Sequence, residues 1–140
     1  MIKRILAFDV GEKRIGIAVS DPLGITAQGI ETYHRTGELD QDVDYLLSVA
    51  ERYRPVMLLF GMPRNMNGSY GMQAEVTKAF ADAVVAKWDG EYDFCDERLT
   101  TASAQRVLIS ADVSREKRKK VVDKLAAVII LQSYLDGHAF

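Results

Sequence analysis

A chain of 140 residues suits one compact domain and leaves no room for a second large one. Apolar residues make up 48% and charged residues 27%, enough for a real core and far from a disordered composition. The net charge of -2 carries no whole-molecule signal for nucleic acid, so any basic footprint has to be local. The lone Cys95 excludes an internal disulfide and a cysteine zinc cluster, and reads as a small residue on a strand. Lys3 and Arg4 precede an apolar run, but that run meets Asp9 too soon to form a secretory leader. No apolar stretch reaches transmembrane length, so a soluble cytoplasmic protein with no membrane partner is expected.

Ile5–Val10 is apolar except for Asp9 and reads as a strand covered on both faces. Gly11-Glu12-Lys13 is a turn, and Arg14–Ser20 a second strand whose Gly16 permits close approach to its backbone. Asp21-Pro22-Leu23-Gly24 is turn chemistry, and a third strand is expected from about Ile25 to Tyr33. With no room for crossover helices, these three strands form an antiparallel meander. A helix over Leu39–Tyr53 stops at Arg54-Pro55. Val56–Phe60 reads as a buried central strand, and residues 61–71 as a long loop. Met72–Trp88 is helical with Met72, Val76, Ala79, Phe80 and Ala83 on one face. Tyr92–Asp96 is a short strand, and Thr101–Ile109 a helix capped by Thr100 or Thr101. Ser114 is placed to cap a last helix reaching Asp136. The order β-β-β-α-β-α-β-α-α predicts an α/β fold of the ribonuclease H-like kind, a mixed five-stranded sheet flanked by helices. One domain spans residues 1–140.

Three acids stand out. Asp9 interrupts a strand that otherwise looks buried, and a buried carboxylate needs a cation or a bound metal. It could also simply end the strand before Gly11, or pair with Lys13 or Arg14. Glu97 follows a strand at its carboxyl end, where sites gather in open α/β sheets; it could instead be a loop acid balanced by Arg98, and Asp96 competes for its role. Asp123 lies one turn before Ala126 and Ala127 in a helix that is apolar from Leu125 to Leu131. It could equally be an exposed acid among lysines. Together the three form an oxygen-donor set of the kind Mg²⁺ or Mn²⁺ prefers, and like charges so grouped are costly without a cation. Bound metals there could activate water and stabilise the leaving oxygen of a phosphodiester.

Four blocks carry a resemblance to a known family. They are Asp9-Val10-Gly11-Glu12-Lys13-Arg14-Ile15-Gly16-Ile17-Ala18-Val19-Ser20-Asp21; Gly61-Met62-Pro63-Arg64-Asn65-Met66-Asn67-Gly68-Ser69; Asp96-Glu97-Arg98-Leu99-Thr100-Thr101; and Val122-Asp123-Lys124-Leu125-Ala126-Ala127, followed by Ile130-Leu131-Gln132-Ser133-Tyr134-Leu135-Asp136. In this order they resemble the YqgF family, bacterial proteins described as pre-16S rRNA nucleases or Holliday-junction-resolvase-like proteins, over essentially the whole chain. The resemblance implies that Asp9, Glu97 and Asp123 are the catalytic, metal-binding acids, with Mg²⁺ or Mn²⁺ as cofactor and Asp9 bridging two ions. Asn67 stands where the family usually has Asp, and Tyr70 where an acid is common; both bear on the loop rather than on the metal site.

Candidate nucleic-acid contacts surround these acids. Lys13 and Arg14 could hold a phosphate. Arg64, Asn65 and Ser69 sit in a loop before a helix N-terminus, a natural anion site, and Tyr70 could stack on a base. Arg98 could position a phosphate. Arg115, Lys117, Arg118, Lys119 and Lys120 lead into the helix of Asp123 and suit backbone phosphates. His34 and His138 show no metal-pair spacing. The leading expectation, resting on the resemblance, is an endonuclease that cuts structured RNA and matures the 5′ end of 16S ribosomal RNA. Its mechanism is in-line hydrolysis leaving 5′-phosphate and 3′-hydroxyl ends. Its partners are precursor rRNA and ribosomal particles, and it is a monomer or weak homodimer. The alternative enzyme is a Holliday junction resolvase acting on branched DNA, whose two symmetric cuts want a two-fold dimer. A non-catalytic nucleic-acid-binding module would need the basic run but not the acids. Asp9-Val10-Gly11 also resembles the first phosphate loop of actin-like and sugar-kinase proteins, but the second nucleotide-binding domain does not fit in this length.

Overall fold

The computed structural model describes residues 4–62, 71–96 and 115–137, with Asp96, residues 115–123 and Gly137 described in backbone only. β1 (Ile5–Val10), β2 (Arg14–Ser20) and β3 (Ala27–His34) are followed by α1 (Leu39–Tyr53), β4 (Met57–Met62), α2 (Met72–Val85), β5 (Glu91–Asp96) and α3 (Arg115–Gly137). The sheet order is β3-β2-β1-β4-β5. β1 pairs antiparallel with β2, and β2 with β3; β1–β4 and β4–β5 are parallel. The expected mixed five-stranded sheet is therefore present, with its meander and its crossovers. The expected helix over Thr101–Ile109 and the Ser114 cap lie outside the described residues.

Alternation along β1 divides the core in two. Leu6, Phe8 and Val10 pack with Ile15, Ile17 and Val19 of β2 against Val43, Leu46 and Val49 of α1 and Phe80, Ala81 and Val84 of α2. Ile5 and Ala7 face the other way, with Ala18 and Leu59, against Ala127, Ile130, Leu131 and Leu135 of α3. Burying each large side chain contributes roughly 1.5–3 kcal/mol, so both layers hold the sheet.

The boundaries of β1, β2 and α1 agree with the sequence reading. α1 ends where Arg54 turns left-handed, at φ 50, its amide bonding to the carbonyl of Ala50 at 2.7 Å. Elsewhere the structure differs. β3 begins at Ala27 rather than Ile25, because the Asp21 carboxylate accepts the amides of Leu23, Ile25 and Thr26 and closes a loop there. β4 runs over Met57–Met62 rather than Val56–Phe60. α2 ends at Val85 rather than Trp88, and the Trp88 indole instead donates to the Glu91 carbonyl at 2.9 Å. The buried face of α2 is also rotated from the expected one: Ala74, Thr77, Phe80, Ala81 and Val84 are inside, and Met72 is 81% exposed. Thr77 can be buried because its hydroxyl reaches the Val10 carbonyl at 3.5 Å.

Candidate active site

Asp9 is half-buried between fully covered neighbours, next to the end of β1 and opposite Gly16. Strand alternation puts it on the same face as Ile5 and Ala7, the face covered by α3. It is thus the acid at the point where the apolar row of that face ends. Arg14 lies two residues before Gly16 on β2, so it shares this face, and it is half-buried opposite His34. Lys13 is exposed in the intervening turn.

The helix α3 approaches the sheet closely. A Cβ added at Gly29 of β3 would stand 2.8 Å from Cγ of Lys124 and 3.3 Å from Cγ2 of Val128, so any other residue there would have to displace the Lys124 side chain. Further along, Gln132 accepts the Ala27 amide at 3.0 Å and donates to the Ile25 carbonyl at 3.0 Å. Since Ala27 pairs with Ser20 and Gly29 with Ala18, α3 runs antiparallel to β1, and its N-terminal half points toward the Asp9 end. Ala127 shares a cluster with Ala7. Asp123 stands one turn, about 6 Å, N-terminal to Ala127, and Asp9 stands two residues, about 7 Å, beyond Ala7 in the same direction. The turn of α3 that carries Asp123 therefore lies toward the Asp9 end of the sheet. The basic residues Arg115, Lys117, Arg118, Lys119 and Lys120 occupy the helix turns before it.

Phe60 pairs with both Phe8 and Phe94, and Met62 with Asp96, so β5 ends level with the end of β1. Glu97 is the next residue and lies outside the described residues, as do Arg64, Asn65, Asn67, Ser69, Tyr70 and Arg98. Among the described residues no three carboxylate, histidine or cysteine side chains converge on one point. Carboxylate oxygens are nonetheless the right donors for a hard divalent cation, and Asp9 and the end of β5 lie at one end of the sheet, the end toward which the N-terminal half of α3 points.

Sequence reasoning missed a polar cluster behind the Asp9 turn. Asp42, in the first turn of α1, is fully buried. It accepts hydrogen bonds from the Tyr33 hydroxyl at 2.9 Å, Nε of Arg35 at 3.2 Å, and the amide and hydroxyl of Thr36 at 2.9 and 3.1 Å. Burial by itself would raise its carboxyl, but these donors outweigh burial and hold its pKa below the ordinary value. Tyr33 is pushed up to about 12 by burial and by its bond to Asp42. On the other side of the turn, Gln73 donates to the Val10 carbonyl at 3.0 Å. The signal available in the sequence was the phase of Asp42, which falls on the stripe of Leu46 and Val49.

A mixed sheet in this order, with an acid on its central strand facing a closely packed helix, defines the ribonuclease H-like class. The chain resembles Thermus thermophilus RuvC solved with a Holliday junction substrate, with a TM-score of 0.62 at 13% identity over 98% of each chain. It also resembles the human cytomegalovirus terminase nuclease domain, with a TM-score of 0.55 at 14% identity over 99% of this chain and 86% of that one. These likenesses speak for the fold. The family is given by sequence: residues 3–137 match the RuvX model, described as Holliday junction resolvase. Relatives from Symbiobacterium thermophilum (51% identical, 97% of this chain and 94% of the relative) and Heliobacterium modesticaldum (50%, 97% and 91%) are both named "Putative pre-16S rRNA nuclease". The chain belongs to the RuvX family, the same family as the YqgF resemblance, and is a nuclease. Nucleases of this kind depend on divalent metal and act on nucleic acid. Among the described residues no helix is long and apolar enough to cross a membrane.

Proposed function

We propose that this chain is an endonuclease that cuts precursor ribosomal RNA at the 5′ end of 16S rRNA, using Mg²⁺ or Mn²⁺ held by Asp9, Glu97 and Asp123. The observation that carries the reading is Asp9, a half-buried carboxylate on the central strand, on the sheet face that the helix of Asp123 covers. The names of the half-identical relatives supply the substrate. A divalent cation, if held there, would supply an activated water and offset charge on the leaving oxygen. Asp9 and its partners hold that charge in place. Lys13 and Arg14 engage a phosphate beside it. By the resemblance Arg64, Asn65, Ser69 and Arg98 also contact the nucleic acid, and Arg115, Lys117, Arg118, Lys119 and Lys120 serve its phosphate backbone.

The near-isosteric Asp9→Asn tests the reading. It should abolish metal-dependent cleavage of precursor rRNA while RNA affinity stays within about threefold, since carboxylates contribute nothing to counterion release. Cleavage by Asp9→Asn at the wild-type rate would sink the metal site. The family description favours a second substrate, the four-way DNA junction. Parallel assays on precursor rRNA and a synthetic junction, each with Mg²⁺ and with Mn²⁺, decide between them. Paired symmetric cuts in the junction, with the RNA left whole, would transfer the reading to DNA.

A further inference from the structure

The segment that follows Asp9 is held from behind by groups the reaction does not use. The amide of Gly11 donates to the Arg14 carbonyl at 2.8 Å and closes the turn. A Cβ at Gly11 would stand 2.8 Å from that same oxygen, so the turn is as tight as glycine permits. Arg35, the residue after β3, grips this turn twice: its amide donates to the Lys13 carbonyl at 2.8 Å and its Nη1 to the Gly11 carbonyl at 2.9 Å. Its Nε meanwhile bonds the fully buried Asp42 carboxylate at 3.2 Å, and its guanidinium carbon lies 4.8 Å from the centre of the Phe80 ring. One side chain thus spans the β1–β2 turn, α1 and α2. A planar guanidinium can do this because its donors point in fixed, different directions; an ammonium cannot serve both partners in that geometry.

We propose that Arg35, oriented by Asp42, is a positioning residue for the substrate. It fixes the Gly11–Lys13 turn so that Lys13 and Arg14 meet a backbone phosphate of the nucleic acid. The turn carries the exposed Lys13 and leads into Arg14 at the start of β2, and a turn that is not held in place loses ordering entropy each time its cation engages a phosphate. Arg35 itself is only 15% exposed, so it contributes through the turn rather than by touching the ligand. The proposal rests on the nucleic-acid reading of this site but not on its cleavage chemistry.

The test measures binding of a fluorescent structured RNA by anisotropy in EDTA, where no cleavage interferes, across a salt series. Arg35→Lys keeps the cation beside Asp42 and gives up the Gly11 carbonyl. It should weaken binding several-fold and flatten the dependence of log Kd on log salt by about 0.7–0.9 for each phosphate that is no longer neutralised, although Lys13 and Arg14 are still present. In a Lys13→Ala/Arg14→Ala background the same change should do nothing further. Asp42→Asn, which keeps the shape but not the charge, should give the same effect in smaller measure and serves if Arg35→Lys does not fold. An unchanged salt slope in both variants overturns the proposal. So does an equal loss of affinity in both backgrounds, or a wild-type chain that does not bind RNA. RNA bound with the expected slope change but never cut would leave the clamp standing and remove the nuclease assignment. Cleavage with an unchanged slope would do the reverse.

Discussion

Asp42→Ala is the sharpest probe of what holds the fold behind the site. The side chain is completely buried, and its removal strips acceptors from Tyr33, Arg35 and both donors of Thr36. Removing one partner of a buried ion pair costs about 3–5 kcal/mol. Arg35 keeps 15% exposure and its bond to the Gly11 carbonyl, so it is partly rehydrated and the low end, about 3 kcal/mol, applies. For a domain of this size that is a fall of roughly 10 °C in melting temperature. Asp42→Asn keeps an acceptor oxygen and should lose about half as much. Urea unfolding read by circular dichroism measures both, with unchanged slopes certifying that the same surface is exposed. The pH dependence follows from the lowered pKa. The stabilisation from the Asp42 charge is complete above the ordinary carboxyl value of 3.8 and is lost as pH falls below it through the folded value. The gap between wild type and Asp42→Asn should therefore close in acid. A cost under about 1 kcal/mol for Asp42→Ala, no larger than that of an exposed pair, would refute the network as a structural element.

Gly29→Ala should destabilise by about 1–2 kcal/mol, because the new methyl meets Cγ of Lys124 at 2.8 Å. Lys124→Ala in the same chain should recover most of the loss, and simple additivity in that double-mutant cycle would mean that α3 does not cross β3 as described. Tyr33 and Tyr134, raised by burial and by their bonds to Asp42 and Asp93, should ionise near 12 in an ultraviolet titration. Their folded values lie above the unfolded 10.0, so the associated stability is whole below pH 10 and fades as pH rises toward 12; six tyrosines titrating together near 10.0 would contradict both assignments.

Much of the fold was legible because the chain punctuates itself. Gly11 and Pro55 mark ends that the backbone respects, and the apolar runs of β1 and β4 lie where both sheet faces are covered. What escaped was set by partners distant in sequence. Nothing local shows that Thr77 will meet the Val10 carbonyl, so the inner face of α2 was expected one step round the helix, with Met72 inside. Nothing near Ile25 shows that the Asp21 carboxylate will gather three amides and delay β3. The candidate acids were legible as interruptions, Asp9 in a strand and Asp123 in a helix, but which strand ends lie side by side is a property of the sheet order. Only the β1–β4–β5 register brings the end of β5 level with Val10.

Asp42 and Asp123 look alike in sequence, each an acid one turn before the apolar stripe of its helix: Leu46 and Val49 in one case, Ala127 and Ile130 in the other. Their surroundings separate them. Asp42 lies against the face of the sheet that carries Phe8 and Val10, where Tyr33, Arg35 and Thr36 supply donors enough to hold a carboxylate without a metal. The Asp123 turn belongs to the helix that covers the opposite face, the face on which Asp9 lies. On the first face the charge is answered by an arginine, and the result is a rigid turn. On the second, a carboxylate on the sheet face that α3 covers offers the oxygen donors a hard divalent cation prefers, and that cation is the partner proposed for it. The same strand therefore separates the two jobs: the side chains of its even positions pack against α1 and α2, with the Val10 carbonyl bonded to Gln73 and Thr77, and Asp9, an odd position, lies on the face of α3 and the proposed metal.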